Sequence, residues 1–226
     1  MARKLGLNTS KHANNVVVIG LGRFGGALAL ELVKLGRDVL GIDSVEARVQ
    51  EYATYLTHVV EADPTNEEAL RDLGVADFDA AVVAISASIE TSILTASLLI
   101  QLGVKQVWAK AASQAHGRIL EQIGVHHVVY PDSDMGKRIA HQVGGDQLDY
   151  VEIDEGFVLA KTRASAEFNG KSLEELGFRR QFGVIVIATS HADTSYVAAG
   201  PATVINDGDY MIVAGPKGKI DKFCED

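Results

Sequence analysis

Three glycines, Gly20, Gly22 and Gly25, stand at the spacing of a phosphate-binding turn. The turn Gly20-Leu21-Gly22-Arg23-Phe24-Gly25 follows the apolar run 16–19 and precedes an alanine- and leucine-rich stretch over 27–35, so it reads strand, glycine turn, helix. In that setting Gly20 permits the tight turn, Gly22 lets the backbone approach a pyrophosphate, and Gly25 lets helix and strand pack closely. The helix N-terminus adds amide donors and partial positive charge. About twenty residues on, at the end of the next strand, comes Asp43, whose carboxylate accepts ribose hydroxyls and repels a 2′-phosphate. The pattern predicts a bound adenine nucleotide and disfavours NADP.

Further polar groups fall where later strands end. Asp63, before Pro64 and Thr65, either reaches the adenine or shares with Thr65 the role of capping the next helix. Ala84, Ile85 and Ser86 close the fourth strand with residues small enough for a cofactor to lie across. Lys110 closes the fifth, as a phosphate contact or as a solvated lysine. His116 follows as a ribose or phosphate contact or as an exposed helix histidine.

The elements that position these groups repeat. Apolar strands over 16–19, 39–42, 57–60, 80–85, 106–109 and 127–130 alternate with helical patterns over 45–53, 67–73, 91–102 and 114–123. Continuous apolar strands alternating with helices call for a parallel sheet covered on both faces. The fold class is α/β, a doubly wound parallel Rossmann-like sheet followed by a small α+β C-terminal domain. A helix over 133–142 ends at Gly144 and Gly145. Beyond 148 come short strands over 150–153, 157–160, 184–188 and 210–213, a helix over 172–176, a Gly200-Pro201 loop and a terminal helix from Lys217. The domains divide as 14–134, a linker helix over 135–148, and 149–226. The second domain is of a size that gains from pairing with another subunit.

Chemistry beyond binding finds little support. A dehydrogenase needs a proton-transfer group at the nicotinamide, and no such partnered His, Lys or Tyr is recognisable. Of the seven histidines only His126 and His127 are neighbours, and adjacent strand residues point to opposite faces. No HExxH, nucleophile elbow or P-loop lysine occurs. A sensor or scaffold is therefore expected rather than an enzyme; an NAD(H)-binding redox-sensing regulator and an NAD-linked oxidoreductase are the alternatives. A net charge of −9 argues against nucleic acid as partner. The one cysteine, Cys224, gives no disulfide framework and fits a reducing cytoplasm. No apolar run reaches membrane-spanning length, and the first dozen residues read as a loose tail without a secretory signal.

With these residues in view the chain resembles the KtrA/TrkA family, cytosolic regulators of potassium transporters built from RCK domains. The resemblance rests on GLGRFGG at Gly20 to Gly26, GID at Gly41 to Asp43, ADPTNEEAL at Ala62 to Leu70, VVAIS at Val82 to Ser86, VWAKA at Val107 to Ala111, ILEQIGV at Ile119 to Val125 and YPDSDMGKRIA at Tyr130 to Ala140. GKSLEELGFRRQFGVIVIA at Gly170 to Ala188 and INDGDYMIVAG at Ile205 to Gly215 are similar to the family's C-terminal subdomain. The Ktr branch is favoured.

The resemblance implies dimers assembling into an octameric ring, attached to the inner face of the membrane through a potassium-translocating subunit. It implies competing ATP and ADP, with NAD(H) bound by some members. Carried over, the pocket comprises Gly20, Gly22, Arg23, Phe24, Asp43, Ser44, Asp63, Pro64, Ala84, Ile85, Lys110 and His116, with Arg23 answering a γ-phosphate. Asp132 matches an interface carboxylate near a divalent cation, where Glu is familiar; an N-cap for the helix near Ser133 is the other explanation. Cyclic di-AMP in the C-terminal domain would meet Phe178, Arg179 and Pro201.

Overall fold

The computed structural model describes residues 15–143, 149–154, 156–191 and 194–225. The predicted tail and the Gly144-Gly145 break lie outside them. The chain forms two compact units that divide between Pro131 and Asp132.

The first unit alternates strand and helix. In chain order it runs β1 (Val16–Ile19), α1 (Arg23–Lys34), β2 (Val39–Asp43), α2 (Glu46–Tyr52), β3 (His58–Glu61), α3 (Glu67–Asp72), β4 (Ala80–Val83), α4 (Ile89–Gln101), β5 (Val107–Lys110), α5 (Gln114–Gln122) and β6 (His127–Val129). The strands form one parallel sheet in the order β3-β2-β1-β4-β5-β6. Because successive side chains of a strand face opposite ways, β1 feeds two cores. Val17 and Ile19 join Leu40, Ile42 and Val83 on one face; Val16 and Val18 join Val39, Leu21 and Ala29 on the other. Strand order reverses between β1 and β4, and in such sheets the crevice at those carboxyl ends takes the ligand.

Two boundaries beside the glycine turn differ from expectation. Helix α1 begins at Arg23, so the glycines supply its first turn, which a search for apolar periodicity passes over. Strand β4 stops at Val83, because Ala84 lies directly against the glycine turn; a Cβ on Gly20 would stand 3.1 Å from the Ala84 carbonyl.

Helix α6 (Pro131–Val143) starts at the unit boundary. The second unit continues with β7 (Asp149–Asp154), β8 (Phe157–Arg163), β9 (Lys171–Ser172), α7 (Leu173–Leu176), α8 (Phe178–Gln181), β10 (Ile185–Ser190), β11 (Val197–Ala198), β12 (Val204–Ile205), β13 (Tyr210–Pro216) and α9 (Lys217–Glu225). Five strands form an antiparallel sheet in the order β11-β10-β13-β8-β7, and β9 pairs with β12. One sheet face, with Val158, Ala160, Val186, Met211 and Val213, packs a core with Phe168, Phe178 and Ile220. Elements β9, α8, β11 and β12 escape a periodicity search because none exceeds four residues.

Candidate functional site

At the crevice, backbone sterics shape the turn. Gly20 has φ +94°, a conformation L side chains rarely adopt, and its N–H donates to the Ile42 carbonyl at 2.8 Å. A Cβ on Gly25 would lie 1.9 Å from the Gly20 carbonyl oxygen and 2.9 Å from the Ala84 Cβ, so helix and strand touch through the missing side chain. Gly22 is different: nothing lies within 4 Å of its would-be Cβ, and its φ of −69° suits any residue. That side of the turn is open.

Gly22 also caps α1 without a side chain. Helices α3, α4 and α5 are capped by their own Asn66, Ser88 and Ser113, which accept from Ala69, Thr91 and His116 N–H respectively. Helix α1 has neither a side-chain cap nor an acidic residue in its first turn. Unsatisfied amides and the positive end of the helix dipole suit an anion there. Arg23, first residue of the helix, is exposed beside them.

Asp43 has a structural role of its own. Its carboxylate is buried; Oδ2 accepts from Leu21 N–H at 2.7 Å and Oδ1 from Val45 N–H at 2.9 Å, tying the glycine turn to the end of β2. Arg48 on α2 adds a third bond, Nη1 to Oδ2 at 3.3 Å. Arg48 was not among the sequence candidates, although an arginine in the first turn of the helix that follows Asp43 is a readable signal. Ser44 next to it is exposed.

For the remaining candidates, burial and hydrogen bonding bear on the capping and exposure readings. Asp63 is exposed and closes a local turn, accepting from Thr65 N–H at 2.9 Å and Thr65 Oγ1 at 2.7 Å; these bonds hold its carboxyl below the usual range. Neither it nor Thr65 caps α3, since Asn66 does. Pro64 is buried, and its carbonyl accepts from Thr95 Oγ1 at 3.2 Å. Ala84 is buried against the turn, with Ile85 half-buried beyond it. Lys110 is not a solvated lysine: it is 6% exposed, with Nζ 5.5 Å from the centroid of the Phe24 ring, which links the end of β5 to the glycine turn.

His116 is not an exposed helix histidine. It is 2% exposed, and burial lowers its pKa from 6.5. Ala112 N–H donates to its Nδ1 at 3.1 Å, so the neutral ring carries its proton on Nε2. That buried Nε2 has no protein partner among the described residues, leaving one donor at the carboxyl end of β5.

Asp132 is the second residue of α6, which starts at Pro131, so it lies within the first turn and is not the N-cap. Among the described residues no three His, Cys, Asp or Glu gather as a metal site.

In the second unit, Phe178, Arg179 and Pro201 line one open cleft of about 520 Å³, together with Leu173, Arg180 and Ile185. Phe178 belongs to the floor: it is buried, with its ring centroid 5.0, 5.5 and 5.6 Å from those of Phe168, Phe182 and Phe223. Ile185 was missed by the sequence search, though alternation along β10, with Val186 buried and Ile185 and Ile187 exposed, marks it.

Comparison with known proteins gives this geometry its relatives. The TrkA-N domain family matches residues 16–131 and the TrkA-C domain family residues 158–226. Over 207 residues the chain is 35% identical to Ktr system potassium uptake protein A of Bacillus subtilis, covering 91% of this chain and 93% of that one. It is 38% identical to Ktr system potassium uptake protein C of the same organism, covering 91% and 94%. A solved structure of the GsuK channel bound to NAD superposes with a TM-score of 0.63 at 17% identity, covering 97% of this chain and 41% of that one, and shares its fold. Two matched domains in chain order, and relatives of this identity over nearly their whole length, establish that the chain belongs to the KtrA/TrkA family of RCK-domain proteins.

Proposed function

We propose that this chain is a cytosolic nucleotide-sensing regulatory subunit, held at the inner face of the membrane, that gates a potassium-translocating partner. The observation that carries the proposal is its 35–38% identity to Ktr system potassium uptake proteins A and C along nearly their full length. A phosphate turn with room for a ligand at Gly22 supports it. No helix among the described residues is long and apolar enough to cross a membrane. The proposal gives the ion pathway to a separate subunit.

ATP and ADP are the proposed ligands, with NAD(H) as the alternative in the same pocket. Gly20, Gly22 and the first amides of α1 take the phosphates, and Lys110 and the His116 Nε2–H stand by as donors. Asp43 and Ser44 take the ribose, Asp63 and Pro64 flank the adenine, and Ala84, Ile85 and Phe24 complete the walls. Arg23 reads the γ-phosphate. A divalent cation accompanies the triphosphate, with Asp132 as its carboxylate, and the cleft around Phe178, Arg179 and Pro201 takes cyclic di-AMP.

Gating follows from differential affinity. Subunits pair and close into a ring, proposed to be octameric, and a ligand shifts that ring only by binding one of its shapes more tightly than another. Coupling of about 1–3 kcal/mol per site, summed over identical sites, makes a switch.

The test is a thermal-shift series with ATP, ADP, NADH and cyclic di-AMP, with and without Mg²⁺. Wild type responds to ATP and ADP. Gly22→Val, whose Cβ has no protein atom within 4 Å, keeps the fold and loses both responses; Arg23→Ala keeps the ADP response and loses the preference for ATP. A response to NADH alone would replace the ATP switch by redox sensing, and unchanged ATP/ADP discrimination in Arg23→Ala would remove the γ-phosphate role.

A further inference from the structure

We infer that Arg48 is a specificity-determining residue of the nucleotide pocket and that, with Asp43, it admits an adenosine whose ribose carries a 2′-phosphate. The inference rests on the nucleotide reading above and extends it to a second ligand class, the 2′-phosphorylated adenine nucleotides.

Acceptor sites on Asp43 decide the matter. A carboxylate offers about four lone-pair sites. Leu21 N–H, Val45 N–H and Arg48 Nη1 occupy three of them. An ordinary ribose brings two donors, the 2′- and 3′-hydroxyls, and with Arg48 docked only one site remains. Binding both hydroxyls therefore requires Arg48 to leave. A 2′-phosphorylated ribose brings one donor, the 3′-hydroxyl, and an anion. That set fits the structure as it stands: the remaining site takes the hydroxyl, and the guanidinium, with one of its five N–H donors on Asp43, has others for the phosphate.

Exposure supports the division of labour. The Asp43 side chain is 3% exposed and fixed by two backbone amides, whereas Arg48 is 46% exposed and held by a single bond to Oδ2. The acid is a fixed part of the scaffold; the arginine is a rim residue that rearranges at little cost. Arg48 also removes the objection that Asp43 repels a 2′-phosphate, because the carboxylate there is already paired. Exposed Ser44 at the same strand end adds a hydroxyl donor.

The experiment is titration calorimetry on the full chain with 5′-AMP, adenosine 2′,5′-bisphosphate, NADH and NADPH. Wild type should bind the bisphosphate within about tenfold of 5′-AMP. In Arg48→Ala, 5′-AMP should bind equally or more tightly, since its competitor for Oδ2 is gone. The bisphosphate should weaken by about tenfold or more through loss of charge-assisted bonds. Arg48→Lys should recover part of that loss, and NADPH relative to NADH should follow the same ratios. Bisphosphate binding more than a hundredfold weaker than 5′-AMP in wild type, with the ratio unchanged in Arg48→Ala, would overturn the role of Arg48 while leaving the nucleotide site standing. If neither ATP, ADP nor 5′-AMP binds, the nucleotide reading itself falls and this inference with it.

Discussion

The two units build recognition surfaces by opposite means. In the first, the site is shaped by backbone: a glycine at positive φ and a contact that tolerates no Cβ at Gly25, with one buried carboxylate that fastens the turn to its neighbouring strand. In the second, the cleft is made of side chains laid over an aromatic core, and its members alternate between lining and floor. Backbone sites tolerate few residues at fixed spacing, so they leave a pattern. Side-chain clefts accept many residues and leave little.

The largest effect should come from the floor of the cleft. Phe178→Ala removes a ring packed on three others and should cost about 3–5 kcal/mol of stability, seen in urea unfolding of the second unit with nucleotide affinity unchanged. A loss under about 1 kcal/mol, with only cleft binding impaired, would make Phe178 a ligand contact and bring the two units closer in design.

Next comes the backbone site. Gly25→Ala forces a Cβ into the Gly20 carbonyl and should destabilise the first unit by about 1–3 kcal/mol while abolishing nucleotide binding. A variant with wild-type stability would show that helix and strand separate easily, against the picture of a sterically fixed turn.

The smallest effect is a pH dependence. His116 has a folded pKa below 6.5 because it is buried, so as pH falls the unfolded chain takes up its proton first. This contribution to stability is complete above about pH 6.5 and is lost as pH drops towards the lowered folded value. Urea midpoints at pH 7.5 and 5.5 should differ more in wild type than in His116→Asn, whose side chain does not titrate. Equal differences would mean that another group sets the acid response.

Much of this is legible in the sequence. The glycine turn, Asp43 at the end of β2, six apolar strands and the helices between them follow from local spacing, because helix and strand periodicities and positive-φ turns are properties of neighbouring residues. Boundaries slipped where local signals give way to contacts: α1 starts inside the turn and β4 stops where Ala84 meets Gly20. Short elements of the second unit were missed for want of length.

Spacing alone determined that this chain would fold a doubly wound sheet around a glycine turn, with an acid at the end of the second strand. Tertiary structure decided which polar groups are buried and with whom. Arg48 lies on Asp43, Lys110 lies over Phe24, His116 is sealed with its Nε2 proton as the donor, and Phe178 belongs to the core of the second unit. The physical reason is that periodicity records which face a residue occupies, while burial and pairing depend on what distant segments bring against that face.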